Sequence, residues 1–487
     1  MKKLKFPKLI PWLILMSLTL ILVLFSRVPA MADTPRHYTE LEFPPLPEIQ
    51  LPDYERYQLK NGITVYLIED HELPLISGQA FIKTGSRLED GQKVGLAGIT
   101  GDLMRTGGTK NHPPNDLNQI LEQRAASVES GIDNTLGNVG FSALSEDTDF
   151  VFRLFGEVIK EPAFDPAQFE LIKMQLKGSI ARRNDDSGDI ASREFDKLIY
   201  GENSPYGRTI EYATLNNIQK EDPVNFYQNY YQPQNILLGI VGDFNSQQMK
   251  NLIEEVFGNW QPNITSNSIN IPSANQVQTK DVFFVDQPQL NQSNIVLGHL
   301  GGQLKDTDYA QLTVLNGVFS GFGGRLFNEL RSRQGLAYSV YGFWSATYDY
   351  PGVFIAGGQT RSEKTVPFIQ GLFKEIEKLQ NEPVTEKELN DAKDSILNSF
   401  VFKFQEPSQT LSRLLRYEYF GYPTDFIFTY QAGVKSTTIE DIQRVAKTYL
   451  KPDQIVTLVV GNQSEINPPL TDLGMNVKMI DITIPES

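Results

Sequence analysis

The chain has 487 residues, 40% of them apolar, which is ample for a buried core and at that length implies more than one domain. Cysteine is absent, which excludes disulfide frameworks, thiolate metal sites and cysteine nucleophiles together. With 59 acidic against 44 basic residues the formal charge is −15, a balance that repels a phosphate backbone and disfavours a nucleic-acid partner.

In chain order, Lys2, Lys3, Lys5 and Lys8 precede an apolar run from Leu9 to Phe25, and Ala30-Met31-Ala32 follows. That is the order of a secretory signal over residues 1–32. It predicts cleavage after Ala32 and a body exported to the periplasm or an equivalent lumen. The alternative is a retained membrane anchor, because the apolar run is nearly long enough to span. Residues 33–53 are proline-rich and read as an extended lead-in.

A first domain is expected over residues 54–257. It opens on a hairpin, Tyr57–Leu59 and Ile63–Leu67 around Lys60-Asn61-Gly62, since Asn-Gly between alternating apolar runs is a strong turn signal. A strand is expected at Ile76–Thr84. Val151, Leu154, Phe155, Val158 and Ile159 share one helical face. Residues 258–280 are polar and aperiodic, and read as a linker at which the two halves should separate. The order then repeats over 281–465. Strands are expected at Asp281–Val285 and Ser293–Leu300, a helix carries Ile369, Leu372, Phe373 and Ile376 on one face, and Thr385 with Glu388 forms a capping box. Residues 466–487 read as a tail.

One internal repeat is explicit. Tyr230 to Asp243 matches Tyr449 to Asn462 at a constant offset of 219 residues, and each copy is a helix end, a proline stop and a buried strand. Near the end of each half, it predicts two similarly folded α+β halves related by duplication.

Three segments then point to a family. Gly95-Leu96-Ala97-Gly98-Ile99-Thr100-Gly101-Asp102, Pro205-Tyr206-Gly207-Arg208, and the run from Phe322 to Tyr338 resemble the motif segments of the M16 (pitrilysin, or insulinase-like) metallopeptidases. The resemblance implies two α/β-roll halves and, in the short-chain branch, paired subunits that close around a peptide. It also implies H-x-x-E-H, two histidines that hold zinc and a glutamate that activates its water. Here Gly98, Gly101 and Asp102 stand at those positions, and Leu171 to Asn184, where the family supplies another glutamate ligand, contains no acid. Asp102 alone cannot hold catalytic zinc, which wants three protein ligands. No cofactor or metal is therefore expected in this chain, and the resemblance places zinc in a partner subunit. The histidines offer no substitute set. His71-Glu72 opens like the motif, but Leu75 stands at the fifth position and Pro74 would break the helix; His112 precedes two prolines and His299 ends a strand.

What the resemblance carries over is Arg331 and Tyr338. They match an arginine and a tyrosine that, in active relatives, reach toward zinc and orient the scissile peptide and its oxyanion. On the residues alone, Arg325–Leu330 reads as helix, Gly335 as its stop and Leu336–Trp344 as a strand, so a cation and a hydroxyl can converge. The plainer alternative is a surface arginine and a core tyrosine. Gly321, Gly323 and Gly324 form a glycine-rich turn just before. In the resembled family this loop touches substrate or partner; otherwise it is a tight entry turn, and no P-loop lysine follows it. Two functions remain open. One is a non-catalytic subunit that forms a heterodimer with a zinc-bearing M16 subunit and lends Arg331 and Tyr338 to cleavage of a peptide substrate. The other is an inert peptide-binding or assembly scaffold on the same fold. Retention of the arginine–tyrosine pair favours the first.

Overall fold

The computed structural model describes residues 50–262, 269–278 and 280–485. The expected signal segment, nearly all of the lead-in and part of the linker lie outside the described residues. Among the described residues no helix is long and apolar enough to cross a membrane.

Two six-stranded sheets organise the body. The first contains β1 (Glu55–Gln58), β2 (Thr64–Glu69), β3 (Leu75–Ile82), β4 (Ser127–Ile132), β5 (Gly137–Leu144) and β6 (Ile236–Gly242), in the order β1-β2-β6-β3-β5-β4. β1 and β2 are the expected hairpin, with Gly62 in the left-handed region at φ 101°. The second sheet contains β7 (Val282–Asp286), β8 (Gln292–Leu300), β10 (Ala337–Trp344), β12 (Val353–Arg361), β13 (Val456–Gly461) and β14 (Val477–Met479). Between them fall two short strands, β9 (Gly302–Gln303) and β11 (Ala346–Thr347), which pair with each other. Read as β14-β7-β13-β8-β12-β10, the second sheet repeats the neighbours of the first. β7 runs parallel to β13 as β2 does to β6, and the next three pairs are antiparallel in both sheets. The repeated segments at offset 219 are the entries to β6 and β13, each led in by a short 3-10 turn, Pro233–Asn235 and Pro452–Gln454. The two halves are similar α+β units.

The sixth strand of each sheet is where the halves differ. β1 pairs antiparallel with β2, whereas β14 comes from the C-terminus and pairs parallel with β7. The stretch 466–487, expected as a tail, therefore contains a strand that completes a sheet. Beyond β14 the Ile480 N–H donates to the Phe284 carbonyl (2.8 Å), and the Asn184 side-chain amide donates to the Ile482 carbonyl (2.8 Å). A three-residue strand is too short to leave a periodic signal, which is why the sequence hides it.

Five helices separate β5 from β6, and five separate β12 from β13. Thr148–Lys160 buries the expected face, and Glu386–Phe400 begins with the expected capping box. The third helix of each set crosses over. Ser187–Tyr200 of the first half lays Ile190, Phe195 and Ile199 on Phe283, Val296 and Leu458 of the second sheet. Pro407–Phe420 of the second half lays Leu411, Leu414 and Leu415 on Tyr66, Phe81 and Leu237 of the first. The opposite sheet faces, with Val65, Ala80 and Leu238 or Phe284, Leu297 and Val459, meet helices of their own half. Alternate residues of a strand point to opposite faces, so strands covered on both sides read as continuous apolar runs. Both crossing helices carry, in their last turn, a tyrosine bonded into the other half: Tyr200 Oη donates to the Pro351 carbonyl (2.9 Å), and Tyr419 Oη to that of Thr135 (2.8 Å). The halves are thus interlocked, each sheet being covered on one face by a helix of the other half. The end of the polar stretch 258–280 is itself bonded into the body, since Val277 N–H donates to the Ile199 carbonyl (3.0 Å) and the Gln276 side chain accepts from Leu300 N–H (2.8 Å). Hydropathy does not report such backbone bonding.

Candidate functional site

Gly98, Gly101 and Asp102 lie on the helix Leu96–Thr106, and a frame of polar contacts holds its start. The buried Glu89 carboxylate accepts from the N–H groups of Gly95 (3.1 Å) and Ala97 (2.8 Å), the free donors of a helix N-terminus. Burial pushes the Glu89 carboxyl upward against those bonds. Arg208, the end of the Pro205-Tyr206-Gly207-Arg208 motif, donates to the carbonyls of Ser86 (2.7 Å) and Glu89 (2.9 Å). Tyr206 of the same motif stacks on Tyr350 of the second half at 4.2 Å between ring centres. These motif residues build the frame around the helix.

The helix itself has no room for the family's base. A Cβ at Gly101 would stand 2.6 Å from the Ile132 nitrogen and 2.7 Å from the Gly131 carbonyl carbon, because β4 passes directly against it. Ser130 Oγ donates to the Gly101 carbonyl at 2.6 Å and fixes that approach. Gly98 faces open space, and Asp102 is exposed with its carboxyl raised by partial desolvation. The residues present do not fit a catalytic zinc ion: they offer one carboxylate and a sealed backbone. Among the described residues no three His, Asp or Glu side chains come together as a metal site. His299 is fully buried. Its Nδ1 lies 2.8 Å from the Leu300 carbonyl, to which it donates, and its Nε2 accepts from Lys451 N–H at 3.0 Å. Burial lowers its pKa to about 4, so the ring is a neutral strut.

Arg331 and Tyr338 come together in the second half. Residues Phe327–Arg333 wind as a π-helix, with the Gln334 N–H donating to the Glu329 carbonyl, and Gly335 at φ 59° ends it. β10 then starts with a bulge between Ala337 and Ser339, which throws Tyr338 outward on an edge strand. Tyr338 is 83% exposed, so it is not the core tyrosine of the plainer alternative. The Arg331 guanidinium carbon sits 5.2 Å from the centre of the Tyr338 ring and 4.8 Å from that of Phe327. Neither the guanidinium nor the Tyr338 hydroxyl has a hydrogen bond or ion pair among the described residues, and no such contact joins them to Gly98 or Asp102.

The glycine-rich turn has its own backbone logic. A Cβ at Gly321 would meet the Gly317 carbonyl oxygen at 2.4 Å, and Gly323 takes φ 76°. Gly324 N–H donates to the Gly321 carbonyl (2.7 Å). This turn holds Phe322 wholly in solvent beside the π-turn. Sequence reasoning missed Phe322 and Phe327; an aromatic between two glycines was the available signal.

Comparison with known proteins gives one answer. The Insulinase (Peptidase family M16) model matches residues 65–210, and the Peptidase M16 inactive domain model matches residues 217–396. A Helicobacter pylori protein named non-peptidase homolog YmxG is 23% identical over 417 residues, 83% of this chain and 93% of its own length. A Bacillus subtilis protein named uncharacterized zinc protease YmxG is 22% identical over 363 residues, 74% of this chain and 86% of its own. Among solved structures, a Pseudomonas fluorescens peptidase M16 inactive domain shares the fold with a TM-score of 0.76 at 24% identity, covering 86% of this chain and 100% of that one. A Helicobacter pylori protease gives 0.72 at 20% identity over 84% and 100%.

Proposed function

The chain belongs to the M16 family, and from that premise we propose that it is an exported, non-catalytic M16 subunit, cleaved after Ala32, that pairs with a zinc-bearing subunit. Its part in the shared chamber is to hold the peptide: Arg331 and Tyr338 supply a cation and a hydroxyl to the peptide backbone, and Gly321, Gly323 and Gly324 position the loop beside them. The observation that carries this reading is the state of the pair. Both polar groups are exposed and have no hydrogen bond or ion pair among the described residues, and they are aimed outward by a π-turn and a bulge, local irregularities that a plain scaffold does not require.

The test is steady-state kinetics on the reconstituted pair, with assembly followed separately by sedimentation. Arg331→Ala and Tyr338→Phe are expected to leave assembly intact and to lower turnover by about tenfold or more. Removing one oxyanion donor in a closed site costs on the order of 10²–10³, and a partly wet chamber feels less. Arg331→Lys should fall between, keeping charge but losing the planar fork. Unchanged turnover in all three variants would leave the scaffold function in its place.

A further inference from the structure

A groove of about 550 Å³ runs between the Ser187–Tyr200 helix of the first half and the open end of the second sheet. Phe195, Val296, Tyr341, Phe343 and Ile355 wall it, and one carboxylate, Asp196, lines it. Its size and mostly apolar lining are those of a binding pocket; Ser192, Asn294, Ser339 and Gln359 add neutral polar groups, and Asp196 is the one charged group among the lining residues. Helix exchange alone puts this acid from the first half against the aromatic face of the second.

Asp196 has no cationic partner among the described residues. The cations nearest in sequence, Arg193 and Lys197, both bond Glu194, at 2.9 and 3.0 Å. Arg193 also donates to the Arg183 carbonyl and the Asn184 side chain, both at 2.7 Å. Asp196 makes no hydrogen bond or ion pair among the described residues, and burial pushes its carboxyl up to about 6. A sheltered carboxyl without a partner costs stability. The fold does not require it. The twin helix Pro407–Phe420 has the same length, 14 residues, and a corresponding buried face, with Leu411, Leu414 and Leu415 matching Ala191, Glu194 and Phe195. At the position of Asp196 the twin carries Arg416, whose guanidinium lies 5.3 Å from the centre of the Phe81 ring. The twin sheet face thus has an internal cation over an aromatic ring. The groove has the rings and an anion, and lacks the cation.

We infer that this groove binds a basic side chain, arginine or lysine, of an extended peptide, with Asp196 as its counter-ion and Tyr341 and Phe343 as its aromatic walls. The site rests on the peptide-holding role proposed above but needs no zinc, no partner subunit and no turnover. A charged hydrogen bond and cation–π contact supply the affinity.

The experiment is fluorescence anisotropy on the full chain. The probes are two labelled ten-residue Ala/Ser peptides with blocked ends, one carrying a central arginine and the other the neutral isostere citrulline. The arginine peptide should bind about tenfold or more tightly than its citrulline twin, the range of a charged hydrogen bond. Asp196→Asn should erase that preference without lowering the melting temperature, and Phe343→Ala, an exposed wall position, should weaken the arginine peptide selectively. Equal affinity of the two peptides, or a preference that survives in D196N, overturns this site while leaving the role of Arg331 and Tyr338 to its own kinetic test. Absence of binding by either peptide overturns this site and removes peptide holding by the chain alone.

Discussion

Gly101 decides whether the missing motif can be restored by substitution. Gly98 opens on free space and Asp102 is exposed, so histidine fits at both, whereas any side chain at 101 drives into the β4 backbone. Gly101→Ala alone is expected to cost about 1–3 kcal/mol in urea unfolding, the range for overpacking, while Gly98→His stays within about 0.5 kcal/mol of wild type. The triple variant G98H/G101E/D102H should bind no stoichiometric zinc after dialysis, and one tightly held zinc with chelator-sensitive peptidase activity would refute this. His299 makes a second prediction at this scale. Its folded pKa, about 4, lies below the unfolded value near 6.5, so the unfolded chain binds more protons between those limits. The contribution is full above pH ~6.5 and is lost as pH falls to ~4, for a total of about 3 kcal/mol. His299→Gln should therefore lose less stability than wild type between pH 7.5 and 4.5; an equal loss would show that the ring does not titrate in this way.

Among the elements, what was legible is what is local. Asn61-Gly62 announces its hairpin, the Val151–Ile159 face announces its helix, and Thr385 with Glu388 announces a helix start, because each signal is complete within a few residues. The repeat at offset 219 carried the doubled architecture. The loss of the zinc motif was equally plain from Gly98, Gly101 and Asp102, but the sealing of Gly101 by β4 was not, since it is a contact across some thirty residues. The crossing helices were invisible for the same reason: an amphipathic pattern states that a face is buried and not which sheet buries it. Their exchange is testable. Phe195→Ala removes a side chain that packs within the second half, at an expected cost of about 3–5 kcal/mol. Hydrogen exchange should then quicken in β8 and β13, which lie far along the chain from the substitution, and quickening confined to the first half would contradict the exchange.

At the scale of the whole molecule, the two halves form one interlocked body. A protease cut between Pro262 and Gln278 is expected to leave both fragments in a single peak on native gel filtration, since each holds a helix that covers the other's sheet. Separate elution under native conditions would show that the crossed helices contribute little. Buried polar contacts add to the clasp. Arg87 and Asp349 meet across the halves at 2.9 Å, both shielded from solvent, and breaking such a pair leaves a stranded charge.

The crossing also sets a clock. β6 is complete at residue 242, but the helix that shields its outer face ends at Phe420. At a synthesis rate of about 5–20 residues per second, the surface of Tyr66, Phe81 and Leu237 waits roughly ten to thirty-five seconds for its cover. The first half therefore cannot mature as it emerges from the ribosome, and a nascent chain stalled near residue 300 should remain a client of holding chaperones. Reversing the gene order of the two halves would move the delay to the other sheet without removing it.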